Sequence, residues 1–175
     1  MIILKENISK QRIVYRLSDR VRKVYSNVSI EQIRAHVMIM DLVYPGYILD
    51  YGTCTEGVFL ECIIVEGVAC NTLEHTIDNI NKVYSYCIEN MRETYPYMHM
   101  DWAPSNILYD GKQFNMVDWD NIAIVDINQA LAELDIDMRE CYGSQFDLFI
   151  KHTGDNLASL RAPVLSIVSP VNNLL

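Results

Sequence analysis

Basic residues are scarce in this chain: 14 Lys and Arg stand against 23 Asp and Glu, for a net charge of −9 and a pI near 4.8. Proteins that grip nucleic-acid backbone mass cations against phosphate, and a chain with this deficit is set aside as a general binder of that kind, although a local basic site stays open. Long apolar runs are missing too. Met1 to Leu4 are followed at once by Lys5 and Glu6, and no stretch reaches the length of a signal-peptide core or a membrane span. The expectation is a soluble, cytoplasmic protein with no membrane partner. Cysteine is present without a framework: Cys54, Cys62, Cys70, Cys87 and Cys141 form no C-x-x-C pair and leave an odd member, which reads as reduced thiols. None of His36, His75, His99 and His152 stands at ligand spacing from a cysteine, which argues against zinc. Repeats and low-complexity segments are absent.

At 175 residues and 50% hydrophobic content, the chain has enough apolar surface for one domain or for two small lobes around a cleft. Its chemistry concentrates in one stretch. His99, Asp101 and Asn106 follow the spacing H-x-D-x-x-x-x-N, and Asp118 comes twelve positions later, ahead of Trp119 and Asp120. Phosphoryl transfer from a metal-bound nucleotide needs one carboxylate at the acceptor hydroxyl, with an amide oxygen and a second carboxylate on the metal. Asp101 suits the first task, Asn106 and Asp118 the second. Residues 107–109 and 114–117 read as two strands around an Asp110, Gly111, Lys112 turn, a hairpin that would bring the two metal-site residues together. Taken singly, each residue would fit an ordinary polar loop.

Elsewhere the pattern is mixed. Residues 13–17 and 21–25 read as a hairpin around Ser18, Asp19 and Arg20, and residues 1–4 as a preceding strand. Ser29 and Gln32 form a capping box that opens a helix with Ile30, Ile33, Val37 and Met40 on one stripe. Pro45 and Gly46 end it, and residues 47–52 and 57–64 read as two more strands. Asn71 and Glu74 suggest the start of a long amphipathic helix carrying Leu73, Ile77, Ile80, Tyr84, Cys87 and Met91 and ending near Tyr95 and Pro96. Helical spacing returns at residues 127–134 and 145–152. Pro163 and Pro170 interrupt an apolar tail, residues 164–175, that would dock on the core or on a second subunit.

The motif from His99 to Leu108 with the later Asp118, Trp119 and Asp120 resembles the aminoglycoside phosphotransferase and choline kinase group of the protein-kinase-like superfamily. The resemblance extends to Val14, Tyr15, Arg16 and Leu17, and to the stretch from Phe59 to Gly67. It implies an α+β, protein-kinase-like two-lobed fold: residues 1–67 as a small antiparallel N-lobe sheet with one helix, and residues 68–175 as a shortened helical C-lobe. It further implies a Mg²⁺- and ATP-dependent phosphotransferase, with Asp101 orienting and deprotonating the acceptor and His99 tying the catalytic loop to the metal-binding segment. Asn106 and Asp118 would hold Mg²⁺ and Lys23 would bind phosphate, with Glu31 orienting it. Cys62 would lie behind the adenine and Ile63, Ile64 and Val65 would form the hinge that reads it. Trp102 and Trp119 would pack the two loops. Lys23 also reads as a solvated cation on a strand edge, and Glu31 as an acid favoured by the helix dipole.

Two departures stand out. Residues 6–12, where the resembling proteins cover the phosphates, contain no glycine, so close backbone approach would fall to Ser9, aided by Lys10 or Arg12, or the segment is a plain turn. Only about thirty residues separate the hinge from the catalytic loop, too few for the acceptor-recognition subdomain of the family. The acceptor is therefore an unspecified hydroxyl of a small molecule or protein. The alternative is a pseudokinase, a nucleotide-binding or protein-interaction scaffold without turnover.

Overall fold

The computed structural model describes residues 2–7, 12–154 and 156–167, with side chains from Arg12 onward. Two compact units divide between Ile64 and Val65. The first is a five-stranded antiparallel sheet with one helix. Its strands are β1 (Ile2–Asn7), β2 (Arg12–Arg16), β3 (Arg20–Tyr25), β4 (Ile48–Cys54) and β5 (Gly57–Ile63), in the order β1-β2-β3-β5-β4, with helix α1 (Ile30–Val43) inserted after β3. The register places Val14, Lys23 and Leu60 in one cross-strand row, and all three are buried. The neighbouring row, on the opposite face, carries Tyr15, Arg22, Glu61 and Asp50. Helix α1 begins where expected: the Ser29 hydroxyl accepts the Gln32 N–H and the Gln32 side chain accepts the Ser29 N–H, which satisfies two orphan donors. Ile33 and Met40 are its buried positions, and it packs on β4 and β5.

Gly57 is the residue this sheet cannot replace. Its φ is +144°, and a Cβ there would stand 2.2 Å from the Tyr25 carbonyl oxygen. Only glycine permits so close an approach between β5 and the end of β3.

The second unit begins with β6 (Val68–Ala69) and a short 3-10 turn at Cys70–Thr72, followed by α2 (Ile77–Thr94) and β7 (Tyr97–His99). Then come β8 (Ile107–Tyr109), β9 (Phe114–Met116), β10 (Ile122–Ile124), α3 (Ile127–Tyr142), α4 (Ser144–Thr153) and α5 (Asn156–Leu165). Helix α2 is its axis and packs against α3, α4, α5 and β7. Ile80, Val83, Tyr84, Cys87, Ile88 and Met91 are buried along it, and each large aliphatic side chain so buried contributes about 1.5–3 kcal/mol. Arg161 of α5 is clamped to this axis: its Nε donates to the Tyr84 hydroxyl at 2.8 Å and its guanidinium to both oxygens of Asp135 at 2.7 Å.

Two expectations are corrected. Helix α2 starts at Ile77 rather than near Asn71, because Thr76 is the residue whose side chain caps it, accepting the Asn79 N–H at 3.2 Å, while Leu73 lies before the helix. Pro163 does not interrupt the chain, since it sits inside α5 with Val164 buried beside it. The rest of the tail, from residue 168, lies outside the described residues. No helix among the described residues is long and apolar enough to cross a membrane.

Candidate active site

In the second unit, the hairpin expected between Asn106 and Asp118 forms. Ile107, Leu108 and Tyr109 pair with Met116, Asn115 and Phe114, and the Val117 N–H donates to the Asn106 carbonyl at 2.8 Å, extending the ladder to the hairpin's open end. The turn is fixed by Asp110, whose Oδ1 accepts the N–H groups of Lys112 and Gln113 at 2.8 and 2.9 Å. Asn106 and Asp118 therefore occupy adjoining positions across the open end. Asp118 has φ 61° and ψ 50° and, among the described residues, is the non-glycine with positive φ. A left-handed aspartate costs roughly 1 kcal/mol and is held only where its surroundings over-determine it.

The loop from His99 to Asn106 closes over this hairpin from β7. His99 pairs with Ile122 of β10, the Met100 N–H donates to the Asn121 carbonyl at 3.2 Å, and a single 3-10 turn at Pro104–Asn106 brings the chain to β8. The Asn106 Nδ2 donates to the Asp101 carbonyl at 3.2 Å, which directs the amide nitrogen toward the loop. The Asp101 carboxylate receives a long bond of 3.4 Å from Asn121 Nδ2.

His99 is fully buried. Its Nε2 lies 3.0 Å from the Val117 carbonyl oxygen, and its Nδ1 accepts the Asp101 N–H at 3.3 Å. These partners fix the neutral tautomer with the proton on Nε2, so the ring links the backbone of Asp101 to the residue that precedes Asp118. Trp119 meets it edge-on at 4.8 Å between centroids and Trp102 at 5.8 Å, and both indoles are buried. The two tryptophans pack the loops as expected.

A residue that the sequence did not disclose holds the loop from the other side. Asp137 of α3 accepts the Trp102 N–H at 2.6 Å, one residue beyond Asp101. Burial pushes its carboxyl up to about 6; the Trp102 bond opposes that, while the charges of Asp101, Glu140 and Glu133 add to it. It lines a cavity of about 270 Å³ with Asn71, Ala103, Pro104, Ser105, Glu140 and Cys141. Nothing local marks Asp137, because its partner lies 35 residues upstream.

In the first unit, Lys23 is 6% exposed, a buried cation in the row with Val14 and Leu60 rather than a solvated edge residue. Glu31 is exposed in the first turn of α1. Its own backbone N–H, the Ser29 hydroxyl and Arg34 hold its carboxyl below the usual range, which matches the helix-end reading of this acid. Cys62 is buried in β5, and the Ile63 N–H is committed to the Tyr47 carbonyl at 3.0 Å. Ile64 ends this unit and Val65 opens the next. Ser9 lies outside the described residues. The feature missed here is Glu61, 2% exposed, which takes Arg20 Nη1 at 2.8 Å and Arg22 Nε at 2.7 Å. Its signal was present: a lone carboxylate in the apolar run 58–64 needs a cation, and Arg20 and Arg22 share one face of β3 at period two.

No family model matches the chain, and no curated protein matches it. Solved structures do. WbdD at 2.2 Å resolution matches with a TM-score of 0.55 and 15% identity, over 78% of this chain and 36% of that one. Monomeric WbdD matches with a TM-score of 0.54 and 15% identity, over 87% of this chain and 44% of that one. A third structure, described as the bifunctional kinase-methyltransferase WbdD, matches with a TM-score of 0.53 at 16% identity. The fold is kinase-like. At such identities the likeness carries the fold alone, and the chain spans less than half the length of the WbdD chains it matches.

Proposed function

We propose that the chain is a phosphotransferase that uses ATP with Mg²⁺ and transfers the γ-phosphoryl group to a hydroxyl acceptor. The observation that carries this reading is the hairpin closed by Val117 on Asn106, which sets Asn106 beside an Asp118 held in a left-handed conformation. Mg²⁺ takes one or two protein oxygens and fills its octahedron with water and substrate phosphates, so an amide and a carboxylate are a sufficient donor set. Bound Mg-ATP would supply the electrophilic phosphorus with its charge partly neutralised. Asn106 Oδ1 and Asp118 would hold the metal. Asp101, carried by the loop that His99 and Asp137 brace, would orient the acceptor hydroxyl and take its proton. Lys23, buried and cationic, would neutralise phosphate, and the main chain at Ile64 and Val65 would read adenine, since the Ile63 N–H is already spent on Tyr47. WbdD's description as a kinase-methyltransferase supports the reading by analogy of fold.

The test is calorimetric titration of ATP with and without Mg²⁺, in parallel on the wild type and on Asp118→Ala. Metal-dependent binding that disappears in the variant is the expected result. Equal binding by both proteins removes Asp118 from the metal site, and no binding by either favours the nucleotide-free scaffold.

A further inference from the structure

The cavity beside the catalytic loop contains an arrangement that phosphoryl transfer does not require. Asp137 bonds the loop to α3 at Trp102, yet the charges that act on it most strongly are acidic. Glu133 and Glu140 lie on its own helix and Asp101 on the loop, and on α2 the Cys87 thiol is itself pushed up, chiefly by burial, with the Asp137 charge adding to the effect. Cys141 shares the pocket, and no Lys, Arg or His is among the described residues that line it. A cation beside a half-buried carboxylate would favour its charged form. Here the compensation available is a proton, and the cavity gives water a route to deliver it.

We propose that Asp137 is a proton-operated clamp on the catalytic loop: ionised, it holds the Trp102 N–H and fixes Asp101 next to it; protonated, it gives up the charge-assisted bond and loosens that position. A neutral carboxyl oxygen still accepts, but charge-assisted bonds are roughly twice as strong as neutral ones, so protonation weakens the clamp without abolishing the fold. With burial and acidic neighbours pushing the carboxyl up to about 6, the clamp is mostly set at pH 7 and mostly weakened at pH 5. The loop's response is independent of any reaction. Its consequence for turnover rests on the phosphotransferase reading, and there it predicts an acid limb of at most about tenfold between pH 7 and pH 5.

The test is the backbone amide of Trp102 followed by nitrogen-15 NMR from pH 4.5 to 8 in the wild type, Asp137→Asn and Glu140→Gln. The amide should titrate near pH 6 in the wild type and remain flat in Asp137→Asn. In Glu140→Gln, with one repelling charge gone, its midpoint should fall by several tenths of a pH unit. A flat wild-type profile overturns the clamp, as does an unshifted midpoint in Glu140→Gln, which keeps the test decisive if Asp137→Asn does not fold. The pH profile of turnover should move with the amide in the wild type and Glu140→Gln. A titrating amide in a protein that neither binds nor turns over Mg-ATP supports the clamp and overturns the phosphotransferase reading instead.

Discussion

Glu61 in the first unit is buried and Asp137 in the second half-buried, and their surroundings drive them in opposite directions. Burial raises the Glu61 carboxyl, but the hydrogen bonds and charges of Arg20 and Arg22 outweigh it and the net displacement is downward. Burial raises Asp137 as well, and Asp101, Glu140 and Glu133 push it further, to about 6. The difference separates two uses of a carboxylate. Glu61 is neutralised by guanidinium groups across a sheet register and stays charged through the ordinary pH range. Asp137 has a backbone N–H as its partner and acids as its neighbours, which suits a group that positions the loop at Trp102 and leaves it sensitive to protons.

The sharpest way to divide the two units is to strike at chemistry in one and at geometry in the other. Asp101→Asn keeps the size of the side chain and removes the proposed base, and on that proposal turnover should fall by about 10² to 10⁴ while thermal unfolding stays within about 0.5 kcal/mol of the wild type. Activity retained within tenfold would remove Asp101 from the base's role. Gly57→Ala should do the reverse. The added Cβ meets the Tyr25 carbonyl oxygen at 2.2 Å and the backbone sits at φ +144°, so urea denaturation should show a loss of at least about 3 kcal/mol. A loss under 1 kcal/mol would mean that β3 and β5 separate there at little cost. Glu61→Ala ranks below it. Arg20 and Arg22 are each about one-third exposed and recover water when the carboxylate goes, so the cost should be about 2 kcal/mol rather than the 3–5 of a fully buried pair. Pairing it with Arg22→Ala in a double-mutant cycle should give a coupling above about 1 kcal/mol, and additivity would dissolve the pair.

The legible parts of this molecule were those specified over a few residues. The capping box at Ser29, the β8–β9 hairpin with its Asp110 turn, and the H-x-D-x-x-x-x-N loop all carry their determinants within about a dozen positions, and each forms where the sequence places it. The start of α2 was misplaced because Asn71 and Glu74 offer the right side chains for a cap, while Thr76, closer to the apolar stripe, caps the helix at the Asn79 N–H. The helix containing Pro163 was missed because proline is read as a breaker, and α5 runs through it with Val164 buried beside it although the ring has no N–H to give the preceding turn. Contacts set by register or by packing of distant elements were not visible at all. Lys23 becomes a buried cation because β2 and β5 place Val14 and Leu60 on either side of it, and Asp137 meets Trp102 only after α3 has folded back on the loop. Sequence reading therefore reached the local loop, with His99, Trp102 and Trp119 in it, and stopped short of the partners that lie far away in the chain.

The smallest effect is also the one that contrasts the units most directly, because the two carboxylates should have opposite pH signatures in stability. A carboxyl whose folded value lies below its unfolded value contributes stability that is present at neutral pH and lost as pH falls through the folded value. Glu61 is of this kind, and Glu61→Gln should flatten the acid side of the stability profile. A raised folded value reverses the sign. Between the ordinary carboxylate range and about pH 6 the folded protein binds more protons than the unfolded chain, so Asp137 makes stability decline as pH rises through that window. Asp137→Asn retains an acceptor for the Trp102 N–H and removes the repelled charge. Because Asp137 is half-buried and lines a cavity, screening reduces the effect to about 1 kcal/mol, and the variant should be that much more stable than the wild type at pH 7 and equal to it at pH 4. Thermal melts of both proteins across that range provide the check. A variant less stable than the wild type at pH 7 would show that the Trp102 bond outweighs the repulsion and that Asp137, like Glu61, is there to hold the fold.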